Sequence, residues 1–323
     1  MNKNVSMKDI ASALNLSVDG VSKALRDSHE ISEATKKRVR EKAKELGYVK
    51  NSLAVSLKTG TSNNVAVFMN GFFNPYFAIF CDKIIRELAN TGYTGMVSAI
   101  PGYRLTMESI KTVFSNKCTA VISLTEPDDD VVEALVSNDI PLFLIGIKPK
   151  NPNIHYIITD DYNGGKKVGE YFLKHAYRKC IYITDSPSET STRRLHGFYD
   201  EVKKDTNTKF YYVPFEMNKN AVEEAAKKIY EKKIQFAFCY SDYVALSLRI
   251  ELRRKYNIND VMIFGFDNIT EFLKIYDPIN SVSTDIDNIV KEVVNDLDTC
   301  KKDPEAKITL GKIYPVKLAI YEE

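Results

Sequence analysis

Between Ser6 and Leu25 the apolar residues fall into two short runs, Ile10, Ala11, Leu14 and then Val21, Ala24, Leu25, at three- and four-residue spacings. That spacing gives each of two short helices one apolar face, and with only Leu14-Asn15-Leu16 between them the pair packs together. Ser6 and Ser17 stand where N-caps are needed, and Asp9 suits the free N–H groups and the dipole of the first turn. Left outside on the second helix are Val18, Asp19, Ser22, Lys23 and Arg26. A helix that presents a short polar and basic face after a tight turn fits a DNA major groove; the same pattern also fits an ordinary αα-hairpin. Ser32 opens a third helix whose Val39, Ala43 and Leu46 close a three-helix core, and Gly47 is placed to end it. Asn51 then caps a stretch of about two turns that carries Leu53 and Leu57, followed by polar residues 58–64 that read as a linker.

From Val65 the period changes. Strand-like runs at 65–69, 93–98, 120–124, 142–147, 154–159, 180–184, 210–215, 236–240 and 261–266 alternate with helical runs such as 77–90, 105–116, 164–174, 221–231 and 243–255. This alternation predicts an α/β body of parallel sheets flanked by helices. Nine strands are more than one simple doubly wound sheet usually carries, so two lobes are expected. The first ends near 159–165, and the chain crosses back near 281–285.

Composition changes the picture little: 44% hydrophobic and 27% charged residues are ordinary for a globular chain of 323 residues. Its longest apolar stretches are of strand length, and no apolar signal region opens the chain, which predicts a cytoplasmic protein that is neither exported nor membrane-bound. The five cysteines, Cys81, Cys118, Cys180, Cys239 and Cys300, are odd in number and widely spread, as expected of small buried hydrophobes in a reducing compartment. Charge distribution is more informative than net charge. Residues 1–60 hold 12 Lys and Arg against 7 Asp and Glu, leaving 33 against 36 in the rest. A basic head on a slightly acidic body suits a polyanionic partner; a solvated, lysine-rich helical face gives the same count. No GxGxxG follows a strand, and P-loop and GxSxG motifs are absent. The histidines His29, His155, His175 and His196 show no metal-ligand spacing. Binding without turnover is expected, with no cofactor and no metal.

Taken together, the stretches MKDIASALNLSVDGVSKAL, ISEATKKRVREKAKELGYVKNSLAVSL, NPYFAIF, DDYNGG, STRRLHGF, SDYVALSL and VMIFGFDN resemble the lactose-repressor (LacI) family of bacterial transcription regulators. The resemblance covers nearly the whole chain. It implies a helix-turn-helix head over 1–50, a hinge helix and linker over 51–63, and a two-lobed, periplasmic-binding-protein-like body over 64–323. Lobe 1 is expected at about 64–160 and 284–301, lobe 2 at about 161–283 and 302–323. It further implies a homodimer on a palindromic double-stranded operator and a small sugar effector in the interlobe cleft. Carried over by position, Ser6, Met7, Lys8, Ser17, Val18, Asp19, Ser22 and Lys23 match the operator-contacting head, and Tyr48, Asn51, Ala54 and Leu57 match the hinge. A leucine wedge at a base step kinks DNA and offsets the unstacking cost with new contacts, which gives Leu57 a reason to be exposed.

Departures from the family pattern are as informative. Asp19 and Gly20 stand where longer polar residues are usual, Lys50 where proline is frequent, and HAYRK at 175–179 replaces a common Gly-His pattern. No heptad tail follows, so a dimer is expected rather than a coiled-coil tetramer. In open α/β sheets ligands bind beyond the carboxyl ends of the strands, which selects Asp160, Ser241, Asp242, Asp267, Tyr76 and Phe77 as effector contacts. Arg194 matches the arginine of the family motif, and Phe215 is a candidate second wall. An Arg and Asp pair hydrogen-bonds hydroxyls while an aromatic ring covers an apolar sugar face. Several of these residues also suit structural roles: Asp242 and Asp160 as caps, Tyr76 and Phe77 in the core.

Overall fold

A computed structural model describes residues 5–48, 62–100, 102, 104–217, 220–303 and 308–321. The hinge residues Asn51, Ala54 and Leu57 lie outside the described residues. Two compact units divide the chain, 1–62 and 63–323.

The first unit is a three-helix head: α1 (Met7–Leu14), α2 (Val18–Leu25) and α3 (Glu33–Glu45). Asp9 reaches back to accept the Ser6 backbone N–H at 2.8 Å and the Ser6 hydroxyl at 2.7 Å. Asn15 ends α1 in the left-handed region, and two residues later the Ser17 hydroxyl accepts Gly20 N–H at 2.9 Å to start α2. The reversal is therefore as short as the sequence suggested. Ile10, Ala11, Val21, Ala24, Val39 and Ala43 close the core, with Met7, Leu14, Leu16, Leu25, Leu46 and Tyr48 packed around it.

In chain order the second unit runs β1 (Asn64–Met69), α4 (Pro75–Asn90), β2 (Thr94–Ala99), β3 (Arg104–Leu105), α5 (Met107–Ser115), β4 (Ala120–Ser123), β5 (Glu126–Pro127), α6 (Asp129–Val136), β6 (Leu142–Ile145) and β7 (His155–Thr159). It continues through α7 (Asp161–Lys174), β8 (Lys179–Ile183), α8 (Glu189–Val202), β9 (Lys209–Val213), α9 (Ala221–Lys232), β10 (Phe236–Cys239), α10 (Asp242–Tyr256), β11 (Met262–Phe264) and α11 (Ile269–Leu273). Last come β12 (Ser281–Ser283), α12 (Ile286–Lys302), β13 (Gly311–Tyr314) and β14 (Lys317–Ala319).

Among the described residues these strands form a six-stranded sheet in the order β13-β7-β6-β4-β1-β2 and a four-stranded sheet in the order β11-β10-β8-β9. Every pairing in both is parallel. Strands buried on both faces read as continuous apolar runs, as in Val65–Met69 and Phe236–Cys239. Each sheet has an apolar layer on either side. In the first lobe α4 and α12 cover one face and α5 and α6 the other; in the second, α9 and α10 lie opposite α7 and α8.

One expected boundary is corrected. Residues 302–323 do not all belong to lobe 2, because β13 pairs with β7 at the edge of the first sheet, with Ile313 opposite Ile158. Only β14 returns to lobe 2, antiparallel to β12. The chain therefore passes between the lobes after β7, after β12 and after β13.

Candidate effector cleft and nucleic-acid-facing head

The surroundings of Arg194 are built by two helices that meet backbone to backbone. A Cβ on Gly165 of α7 would stand 2.1 Å from the Arg194 carbonyl oxygen, and one on Gly197 of α8 would stand 1.9 Å from that of Tyr162. Only glycine permits this approach. It brings the first turn of α7 against the guanidinium of Arg194, on α8.

Arg194 is 5% exposed. Its Nε donates to Asp161 Oδ1 at 2.9 Å, its Nη1 donates to the Tyr240 carbonyl at 2.7 Å, and Nη2 stands 3.5 Å from Asp267 Oδ1. The guanidinium lies 3.5 Å from the centroid of the Phe266 ring. Burial by itself lowers the pKa of a cation, but the carboxylates of Asp161 and Asp267 outweigh it and hold Arg194 above the usual arginine range. The opposite balance holds at Asp267. This residue is 4% exposed, and burial pushes its carboxyl up to about 7 although Arg194 pulls it down. Its Oδ1 has no hydrogen-bond partner among the described residues, and its φ is 101°, a conformation costly for a residue with a Cβ and most often met at functional sites.

The first lobe contributes Tyr76, in the first turn of α4 and edge-on to Phe80. Burial, then the Asp267 carboxylate, holds its phenol well above the ordinary value; Arg194, Asp161 and Tyr240 act on it as well. Tyr76 is thus within electrostatic reach of the charged group of the opposite lobe. Thr190 donates to the Gly146 carbonyl at 3.3 Å and links the two walls directly.

The other expected contacts are distributed unevenly. Asp160 uses its carboxylate as the cap of α7, accepting from Asn163 N at 3.3 Å and Nδ2 at 2.6 Å. Asp161, which sequence reasoning missed, is the carboxylate that meets Arg194; Thr159 Oγ1 donates to it at 3.0 Å. Ser241 caps α10. Asp242 is fully buried and accepts from Ile269 N at 2.8 Å and Ser281 Oγ at 2.6 Å, tying α10 to α11 and β12; burial, with Asp267 nearby, raises its carboxyl well above the usual range. Phe77 is half-buried against the first-lobe core, and Phe215 is half-buried after β9. Phe266 and Tyr240, the apolar walls around Arg194, were also missed. The signal that could have found them is position, since each lies just beyond a strand end.

On the head, Lys8, Ser17, Val18 and Asp19 are exposed, Ser22 and Lys23 half-buried, and Met7 and Tyr48 partly committed to the core. Lys23 Nζ donates to Glu30 at 2.6 Å and pairs with Asp19 at 3.3 Å. On α3 the buried Lys36 is held by Glu33 and Asp27, and Arg40 pairs with Asp27. Among the described residues Lys8, Lys37, Arg38 and Lys44 make no ion pair, so their charge is available to a polyanion.

Among the described residues no group of three or more His, Cys, Asp or Glu side chains is placed to hold a metal ion, and no helix is long and apolar enough to cross a membrane. The family model for bacterial regulatory proteins of the lacI family matches residues 6–51, and that for the periplasmic binding protein-like domain matches residues 170–318. The HTH-type transcriptional repressor PurR of Aliivibrio salmonicida is 23% identical, covering 96% of this chain and 96% of its own. A crystal structure of the lac repressor dimer bound to operator and the anti-inducer ONPF superposes with a TM-score of 0.80 at 16% identity, covering 98% of both chains. A LacI-family regulator from Enterococcus faecium with bound ribose superposes at 0.70, with 17% identity, over 80% of this chain and 97% of its own. One model matches the head and the other the body, in that order, so the chain carries a lacI-family regulatory head followed by a periplasmic-binding-protein-like body.

Proposed function

We propose that the protein is a sequence-specific transcriptional repressor of carbohydrate-utilisation genes, controlled by a small sugar or sugar-like effector in the interlobe cleft. It acts as a homodimer on a palindromic operator in the cytoplasm, and it binds its effector without turning it over. Ser6, Met7, Lys8, Ser17, Val18, Asp19, Ser22 and Lys23 form the operator-contacting surface, joined by the hinge. Tyr76, Arg194 and Asp267 form the heart of the effector site, with Asp161 holding Arg194 in place.

The observation that carries this reading is the buried Arg194, shared between Asp161 and Asp267, with an Asp267 oxygen that it approaches only at the 3.5 Å of a long ion pair and with the first-lobe Tyr76 within electrostatic reach. An arginine already balanced by two carboxylates offers little to an anion. An acceptor oxygen with an ion-pair neighbour but no hydrogen bond, in a site that also holds aromatic rings, suits a donor hydroxyl on an apolar ring face. Relatives support the same division of labour: the Aliivibrio protein is a repressor, and the Enterococcus protein holds ribose. A ligand that prefers one arrangement of the lobes shifts the population of the DNA-binding form by its differential affinity.

The test is a thermal-shift screen of the full chain against a panel of uncharged sugars and their phosphates. The reading expects stabilisation by an uncharged sugar, lost in Arg194→Ala; stabilisation by phosphorylated sugars alone would contradict it.

A further inference from the structure

The base-reading face of α2 is defined by which of its side chains are already occupied. In a helix-turn-helix the N-terminal residues of the second helix meet the base edges, here residues 17–23. Ser17 has its hydroxyl engaged by Gly20 N–H. Gly20 offers no side chain. Lys23 is held between Glu30 and Asp19, and Arg26 is folded back, with its Nε donating to the Ser22 carbonyl at 3.3 Å. The stretch contains no Asn, Gln or Arg, the side chains that grip adenine or guanine through two hydrogen bonds. What faces outward with nothing holding it is the apolar side chain of Val18, 41% exposed at the first position of the helix; beside it stands the exposed carboxylate of Asp19, paired with Lys23 at 3.3 Å through one oxygen and with acceptor capacity left, while Ser22 is half-buried.

Resting on the reading of the head as a DNA-binding unit, we infer that α2 selects each operator half-site through the methyl group of a thymine, packed against Val18, and the amino group of a cytosine, donated to Asp19. Valine has nothing to offer a base edge except apolar contact, and the thymine methyl is the one apolar group the major groove displays. Asp19 has only acceptors, which suits the cytosine amino group; adenine sets its N7 acceptor next to its amino group and repels a carboxylate. Lys23 is a positioning residue. Its ammonium neutralises Asp19 and Glu30, so that a carboxylate is tolerated between phosphates.

The full chain is used to select duplexes from a library of two inverted copies of a randomised half-site, and the selected duplex is remade with single thymines replaced by uracil and measured by fluorescence anisotropy. One thymine in each half-site is expected to lose about fourfold in affinity on replacement, the equivalent of one buried methyl. That sensitivity vanishes in Val18→Ala and persists in Val18→Thr, which keeps a methyl at the same place. In Asp19→Asn, preference at one neighbouring position moves from cytosine to adenine. Uracil tolerated everywhere by the wild-type chain, or an unchanged base preference in Asp19→Asn, overturns the inference while leaving DNA binding intact. Failure to select any duplex overturns the DNA-binding reading itself.

Discussion

Asp267→Asn separates the charge of this carboxyl from its shape. The group titrates near 3.8 in its ordinary environment and near 7 in the folded protein, because burial outweighs the attraction of Arg194. A carboxyl whose folded pKa is raised gives its full stabilisation below the unfolded value and loses it as pH climbs through the folded one. Between pH 4 and pH 7 the body should therefore lose about 3 kcal/mol of stability on account of this one group. That is a large part of the roughly 5–15 kcal/mol typical of a domain. An asparagine cannot ionise, so the variant lacks this slope. Urea denaturation of both full chains at intervals from pH 4.5 to 8, followed by circular dichroism, yields the difference in unfolding free energy of the body transition. The variant should become the more stable of the two as pH rises, relative to its standing at pH 4.5. Parallel profiles would refute the argument that Asp267 is charged at a cost.

Other perturbations test other joints of the account. Arg194→Ala leaves Asp161 and Asp267 buried without their counter-ion and should cost the body about 3–5 kcal/mol in urea titrations, while abolishing the effector response and sparing operator affinity measured in the cold. Equal loss of both would make Arg194 purely structural. Gly197→Ala drives a methyl into the Tyr162 carbonyl and should lower the urea midpoint by the equivalent of about 1–3 kcal/mol, with a weaker effector response because α7 and α8 are pushed apart. Ser17→Ala removes the cap of α2 and should cost the head about 1 kcal/mol, read as a lower melting temperature of the head.

Much of this was legible in the sequence for identifiable reasons. The head is written in local rules: a serine at each helix start, a three- and four-residue apolar period, and Gly47 at φ 68° where the third helix ends. The nine strand-like runs all became strands; central ones such as β1, β4, β6 and β10 are buried on both faces and therefore apolar throughout, whereas β2 and β9 at the sheet edges are half-exposed. What escaped was non-local. Nothing in residues 311–314, which are exposed or half-buried on the sheet edge, signals a strand that pairs with one 155 residues earlier. Nor does Asp160-Asp161 say which carboxylate turns outward to cap α7 and which inward to Arg194, since that depends on the close approach of α8. Asp242 illustrates the reverse error. It follows a strand as a ligand contact should, yet its carboxylate is consumed in joining α10 to α11 and β12.

The central claim is that DNA binding by the head is coupled to a small molecule bound in the body. Fluorescence anisotropy of the full chain on DNA from the region upstream of its own gene, across a salt series and with the sugar found by thermal shift, tests it most directly. The account predicts binding that weakens steeply with salt and an affinity that the sugar changes by about 5-fold to 150-fold, with no change in Arg194→Ala. Salt-insensitive binding, or an affinity indifferent to a sugar that demonstrably stabilises the body, would contradict it.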